Sequence, residues 1–192
     1  MRGGQDGQYI VPMSSPAIMT AEELRRVNYP DKCTELVRGR LVVREPAGYR
    51  HGRIVARLAK VLTDHVDAND LGEILAAETG FTLFREPDTV RAPDVGFVRR
   101  GRVPDPVPSG YAELAPDLVV EVLSPDDRPG QVLAKVGDWL EAGVKLVWVV
   151  DPERRLAHIY RADGSESVID DAEMLDGEDV VPGFGCRLRT IL

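Results

Sequence analysis

The sequence places one carboxylate inside a strongly apolar segment. Glu121 interrupts the run Leu118-Val119-Val120-Glu121-Val122-Leu123, which is typical of a buried β-strand. An unpaired carboxylate is so costly to bury that it normally forms an ion pair, takes up a proton or binds a metal ion. Glu121 is therefore a structural ion-pair partner, a residue at a strand edge facing water, or a metal ligand.

A second carboxylate, Asp94, follows Pro93 and begins the strand pattern 94–98. Asp94 is either an ordinary turn residue or a partner for Glu121. Asp117 shares a strand face with Glu121 but lies about 13 Å from it by strand rise, so these two are not expected to share a metal. If the strands of Asp94 and Glu121 are neighbours, their carboxylates, a backbone carbonyl and waters would form a hard-oxygen Mg²⁺ site.

Three further polar side chains are candidates for the same site. Lys135 lies one helical turn from Val132 and from Trp139, so its ammonium flanks the buried face of a predicted helix. It either reaches water past that face or enters the site. Glu35, in a strand pattern, is another candidate. His51, at the start of a long helix, could contact phosphate or cap the helix, or could be a surface histidine.

The elements that must position these residues follow from periodicity and turn signals. A capping box at Thr20–Glu23 and two apolar stripes predict helices over 20–27, 48–69 and 131–142. Alternating or continuous apolar runs predict strands over 34–37, 40–43, 73–77, 81–84, 94–98, 117–123, 145–150 and 154–161. This order predicts an α/β fold in which helices pack on a mixed sheet within one domain, residues 20–192. Residues 1–19 are predicted to be a flexible tail.

Composition limits the possible classes of protein. The chain has 192 residues and a net charge of −8, and no apolar run is long enough to span a membrane. The start of the chain has no signal-peptide core, and two cysteines make neither a disulfide framework nor a zinc cluster, so a cytoplasmic location is expected. Basic residues concentrate between Glu35 and Lys60, which keeps a polyanionic partner possible despite the acidic total.

Several of these motifs, in their order and spacing, resemble one protein family. The chain is similar to the Uma-type restriction-endonuclease family of the PD-(D/E)XK nuclease superfamily. The resemblance runs from about Thr20 to Leu192. Its matching stretches are Thr34-Glu35-Leu36-Val37-Arg38-Gly39, Arg50-His51-Gly52, Arg91-Ala92-Pro93-Asp94-Val95, Pro116 to Pro125, Ala142-Gly143-Val144 and Trp148 to Pro152.

The resemblance implies a fold and an activity. The fold would be a restriction-endonuclease-like mixed β-sheet flanked by helices, with additional N-terminal and C-terminal β-hairpins. The activity would be metal-dependent endonuclease hydrolysis of phosphodiester bonds in DNA. Asp94, Glu121 and the Val122 carbonyl would hold Mg²⁺ or Mn²⁺, and Glu35 would complete the site directly or through water.

The position of the lysine departs from the superfamily pattern. That pattern has lysine two residues after the second carboxylate, where this chain has Leu123. The resemblance implies that Lys135 supplies the ammonium from the following helix. It would orient the attacking water or neutralise the transition state.

The resemblance also implies partners. His51, Arg50 and Arg53 would hold the nucleic-acid backbone, and a homodimer is expected because nucleases that cut both strands often pair their active sites. The alternatives are a noncatalytic binding or assembly module that keeps the nuclease fold, and an enzyme that acts on RNA or branched DNA.

Overall fold

The computed structural model describes residues 18–27, 29–76 and 79–192. Most of the predicted tail, residues 1–17, therefore lies outside the described residues, as does Ala77 at the end of one predicted strand. The helices are α1 (Ala21–Leu24), α2 (Tyr49–Ala68) and α3 (Pro129–Glu141). The strands are β1 (Cys33–Val37), β2 (Arg40–Arg44), β3 (Gly72–Ala76), β4 (Phe81–Phe84), β5 (Thr89–Arg91), β6 (Val95–Arg99), β7 (Leu118–Val122), β8 (Leu146–Asp151), β9 (Leu156–Arg161), β10 (Glu166–Asp170), β11 (Met174–Asp176) and β12 (Gly185–Arg187).

The strands form two main sheets and one short hairpin. The larger sheet has the order β10-β9-β8-β7-β6-β3, and only its central pair, β7 and β8, is parallel. The smaller, antiparallel sheet has the order β2-β1-β5-β4, and β11 pairs with β12. The fold is thus a mixed α/β fold with a hairpin near each end, as the resemblance to the nuclease family implies.

Two helices cover opposite faces of the larger sheet. Helix α2 buries Leu58 and Leu62 against one face, together with side chains such as Val120 and Trp148. Helix α3 buries Val136 and Trp139 against the other face. Because both faces are covered, every residue of β7 and of β8 is buried, which explains their continuous apolar pattern. None of the helices described is both long and apolar enough to cross a lipid bilayer.

The strands predicted from periodicity do not include β5, β10, β11 and β12. Strand β5 was not predicted, because only three residues pair, although they join β1 to β4. The acidic segment after Arg161 forms β10 and β11, and β10 is the edge of the larger sheet. Strand β9 therefore pairs on both sides within the sheet, and its Ala157 and Ile159 are buried.

Candidate active site

Glu121 reaches the site because side chains alternate along β7. Val120 faces α2, whereas Glu121 points toward α3. Its Oε2 accepts a hydrogen bond from the ammonium of Lys135 at 2.8 Å, and its Oε1 accepts one from the indole N–H of Trp139 at 2.9 Å. Both donors lie four residues apart on α3, so one face of that helix holds the buried carboxylate.

Asp94 lies beside Glu121, just before β6. Strand β6 runs antiparallel to β7 with Val95 opposite Val120, and the same register continued by one residue sets Asp94 opposite Glu121. Side chains opposite each other in such a pair share one face of the sheet. The Asp94 Oδ2 accepts a hydrogen bond from the backbone N–H of Val122 at 2.7 Å, so the peptide after Glu121 fixes this carboxylate.

Lys135 is buried and has three acceptors. Its Nζ lies 2.8 Å from Glu121 Oε2, 3.2 Å from Glu35 Oε1 and 3.0 Å from the Ala92 carbonyl oxygen. An ammonium has three N–H donors, so these partners satisfy it completely. Burial opposes its charge, but the carboxylates of Glu121 and Glu35 outweigh that effect and raise the pKa of Lys135. Lys135 thus reaches the carboxylates from α3, although the position two residues after Glu121 holds a leucine, Leu123.

Glu35 is enclosed by basic groups. The guanidinium of Arg91 donates to its Oε2 at 2.8 Å, the Ala92 N–H donates to its Oε1 at 3.0 Å, and Arg44 lies 3.5 Å away. Burial alone would raise the pKa of Glu35, but Lys135 and then Arg91 overcome it and lower that pKa to about 2. Glu35 therefore remains ionised and holds the lysine in place.

Glu121 shows the opposite shift. Burial raises the pKa of Glu121 to about 7, against the opposing effect of Lys135 and with added repulsion from Asp94 and Glu35. The charged form of Glu121 is thus poorly stabilised by the protein alone. A perturbed carboxyl group in a cleft is a feature that functional sites often show.

His51 connects α2 to the same site. Its Nε2 lies 3.1 Å from Asp94 Oδ2, and this contact, more than the opposing effect of burial, raises the pKa of the imidazole. Arg50 and Arg53 do not line the cleft. The first pairs with Glu153 at 2.7 Å, and the second donates to the Leu192 carbonyl oxygen at 3.1 Å.

These groups open into a cleft of about 760 Å³ between the two sheets. Six acidic side chains line it, against three basic ones. The acidic residues are Glu35, Glu45, Asp94, Glu121, Asp126 and Asp127, and the basic residues are Lys32, Arg44 and Lys135. A cleft with this excess of negative charge concentrates cations.

The donor chemistry fits a hard divalent cation. Mg²⁺ commonly takes one or two carboxylates and completes its shell with water and phosphate oxygens, and Asp94 and Glu121 supply two carboxylates on one face. Within the described ranges, no group of three or more His, Cys, Asp or Glu residues could hold a metal by itself. Asp117 takes no part, because Arg102 binds it at 2.7 Å and the Arg99 N–H donates to it at 2.9 Å.

Two residues of the site were not identified from the sequence. Trp139 looked like an ordinary member of an apolar stripe, and its spacing of four residues from Lys135 was the only available signal. Arg91 is buried and joins Glu35 on β1 to Asp138 on α3, but nothing in its sequence neighbourhood marks it as buried.

Comparison with solved structures identifies the class of fold. A solved structure described as "a putative nuclease belonging to DUF820" from Anabaena variabilis ATCC 29413 is similar to this chain, with a TM-score of 0.78 and 20% sequence identity. The similarity covers 90% of this chain and 97% of the other, and it shows the shared nuclease-type fold.

The family follows from the sequence match. The Uma2 family, described as "Putative restriction endonuclease", matches residues 21–189, and the chain belongs to this family. The family match supports a nuclease. No curated protein matches the chain significantly.

Proposed function

We propose that this protein is a divalent-metal-dependent endonuclease that hydrolyses phosphodiester bonds in DNA in the cytoplasm. The observation that carries the proposal is the meeting of Asp94, Glu121 and Lys135 on one face of the larger sheet, at the wall of an acidic cleft. Phosphodiester hydrolysis needs charge stabilisation at the phosphate, and these groups lie where a phosphate entering the cleft would meet them.

Asp94, Glu121 and the Val122 carbonyl would hold Mg²⁺ or Mn²⁺. The cation, when bound, would offset the negative charge that develops on the phosphate. The protein fixes both carboxylates in advance, Asp94 through the Val122 N–H and Glu121 through the Trp139 indole. Fixed ligands reduce the reorganisation that the reaction requires.

Lys135 would supply a fixed positive charge beside the reacting phosphate. Because all three of its N–H donors are engaged, a substrate oxygen or the attacking water must replace one acceptor before the lysine can donate to it. Glu35 holds the ammonium throughout. We therefore assign Glu35 a positioning role rather than a direct place among the metal ligands.

His51 would contact the phosphate from the α2 side of the cleft, next to Asp94. Arg50 and Arg53 flank it along the chain. They would hold flanking backbone only by exchanging their present contacts with Glu153 and the Leu192 carbonyl oxygen. Their contribution is therefore expected to be smaller than that of His51.

One observation favours a noncatalytic binding or assembly module instead. The Glu121–Lys135 ion pair is closed at 2.8 Å, so each group already has a partner of opposite charge. Such a module would keep the fold and the pair but bind no divalent metal at Asp94.

A cleavage assay tests the proposal. Labelled duplex and single-stranded DNA are incubated with the protein in Mg²⁺, in Mn²⁺ or in EDTA, beside Asp94→Asn and the control Asp64→Asn. Asp64 is exposed on α2 and pairs with Lys60, away from the cleft. We expect cleavage only with a divalent cation, loss in Asp94→Asn and wild-type rates in Asp64→Asn. Cleavage by Asp94→Asn, or none by the wild type in either cation, would contradict the proposal.

A further inference from the structure

Two arginines of β2 share a sheet face with the site. Strand β2 pairs with β1 so that Val42 lies opposite Glu35 and Arg44 opposite Cys33. Directly opposite residues point to the same side, and side chains two apart on a strand do so as well. Arg40, Val42 and Arg44 therefore point to the side of the smaller sheet that holds Glu35.

The row formed by Arg40, Val42 and Arg44 begins inside the cleft and continues outside it along the edge of the smaller sheet. Arg44 lines the cleft, lies 3.5 Å from Glu35 Oε2, and has a side chain that is 40% exposed. Arg40 is exposed and has no ion-pair partner among the described residues. Strand β2 is the outer strand of its sheet, so its row of arginines borders solvent along the strand.

The charges on the two walls of the cleft differ. The β6–β7 side carries Asp94, Asp126 and Asp127. On the β1–β2 side, Lys32 and Arg44 balance Glu35 and Glu45, and Arg40 adds a further positive charge beyond the cleft. A polyanionic strand is repelled by the first wall unless cations are bound there, and is attracted by the second. Arg40 and Arg44 are about 13 Å apart by strand rise, a length that several successive phosphates of one strand span.

We propose that β2 is the backbone-binding strand of this protein, with Arg44 on a phosphate at the mouth of the cleft and Arg40 on a phosphate farther from the reacting bond. The ligand is the phosphodiester backbone of a nucleic-acid strand, bound by charge and without base readout. This inference rests on the proposed function, because β2 would hold the part of the bound substrate strand that extends beyond the site. It assigns to β2 the role that the sequence suggested for Arg50 and Arg53, whose guanidinium groups bind other parts of this chain.

Binding of a fluorescently labelled oligonucleotide, measured by anisotropy at several salt concentrations with Ca²⁺ in place of Mg²⁺, tests the inference. The proteins are the wild type, Arg40→Gln, Arg44→Gln and the control Arg26→Gln. Arg26 is exposed, has no ion-pair partner among the described residues, and follows α1, which packs on the opposite face of the smaller sheet.

We expect Arg40→Gln to bind about tenfold more weakly near 0.1 M salt, with the slope of log K against log salt smaller by about 0.7–0.9. Arg44→Gln should behave alike, and Arg26→Gln should match the wild type. Wild-type binding by Arg40→Gln, or equal weakening by Arg26→Gln, would overturn the inference and leave the proposed function standing. If the wild type binds no oligonucleotide, both fail.

Discussion

At the residue scale, one lysine serves two carboxylates whose pKa values shift in opposite directions. The pKa of Glu35 falls to about 2 because basic groups surround it, whereas burial raises the pKa of Glu121 to about 7. Glu35 thus stabilises the folded state as an anion. Ionisation of Glu121 in the folded protein costs free energy. This is expected of a carboxylate whose charge binds a ligand.

The first prediction concerns Glu121→Gln. A neutral amide removes the cost of a buried charge, but its NH₂ must face either Trp139 or Lys135, both of which are donors. The first effect is about 3 kcal/mol and the second about 1–3 kcal/mol. We expect the metal-free variant to be as stable as the wild type at pH 8, or more stable by up to about 2 kcal/mol.

Denaturant unfolding at pH 8 checks this prediction, with Glu141→Gln, an exposed site on α3, as the matched control. A group with a raised folded-state pKa stabilises the protein below its unfolded value and loses that contribution as pH rises. The stability difference between wild type and Glu121→Gln should therefore shift toward the variant between pH 4.5 and 7. A loss of about 3–5 kcal/mol at pH 8 would instead show that Glu121 is a structural ion-pair partner.

The second prediction is that Glu35→Gln changes the free energy of unfolding in the opposite direction. A carboxyl with a lowered folded-state pKa stabilises the protein above its unfolded value and loses this contribution as pH falls through the folded value. From a folded-state pKa of about 2, we expect the variant to be less stable than the wild type by about 3 kcal/mol at neutral pH. That difference should shrink between pH 4.5 and pH 2 in unfolding curves. A constant difference across this range would refute it.

At the scale of elements, α3 is the part of the fold that completes the site. It brings Lys135 and Trp139 to Glu121 and is held to β5 through the Arg91–Asp138 ion pair. Gly137 lies in the interior of this helix with open space where a Cβ would be. Gly72 at the start of β3 has a φ of +156°, and a Cβ there would lie 2.1 Å from the Val98 carbonyl oxygen.

These two glycines predict opposite effects of the same substitution. Gly137→Ala should stabilise the protein by about 0.5–1 kcal/mol, because alanine loses less backbone entropy in a helix. Gly72→Ala should destabilise it by several times that amount, since backbone atoms must move to admit the methyl group. Thermal melts measure both. Similar melting temperatures for the two variants would contradict the geometry of α3 and β3.

Periodicity was sufficient for the elements with large buried faces. The stripes of α2 and α3 and the apolar runs of β7 and β8 predicted these elements to within a few residues of their observed bounds. It failed at β5, where three residues give no period, and at β10, whose alternating pattern is mostly exposed and strongly acidic. Hydrophobic periodicity arises because one face of an element is buried, so a strand at the edge of a sheet shows little of it.

At the scale of the whole molecule, the site exists only where two sheets meet. Glu35 comes from the smaller sheet, Glu121 from the larger one, and Lys135 from the helix between them. Sequence reasoning selected these residues because they are polar within apolar patterns. It could not place Arg91 or the indole of Trp139, whose contacts depend on how the two sheets pack rather than on local spacing.

The expected homodimer is a prediction at this scale. Two copies would pair their sites across a duplex, and the exposed Val168 on edge strand β10 is one apolar residue available for contact. Light scattering at high micromolar concentration should give about twice the mass of one chain. A monomeric mass would rule out stable pairing in solution, and the proposed chemistry of one site would be unaffected.

A crystal structure of the protein soaked in Mn²⁺, with anomalous scattering recorded, tests the central claim most directly. Mn²⁺ is detected by its anomalous signal and takes the same oxygen ligands as Mg²⁺. We predict a peak between Asp94 and Glu121, with a carboxylate oxygen of each at about 2.0–2.4 Å from the ion. A fully soaked crystal with no peak there, and with the Glu121–Lys135 ion pair still closed, would contradict the assignment of this site as a metal-dependent nuclease centre.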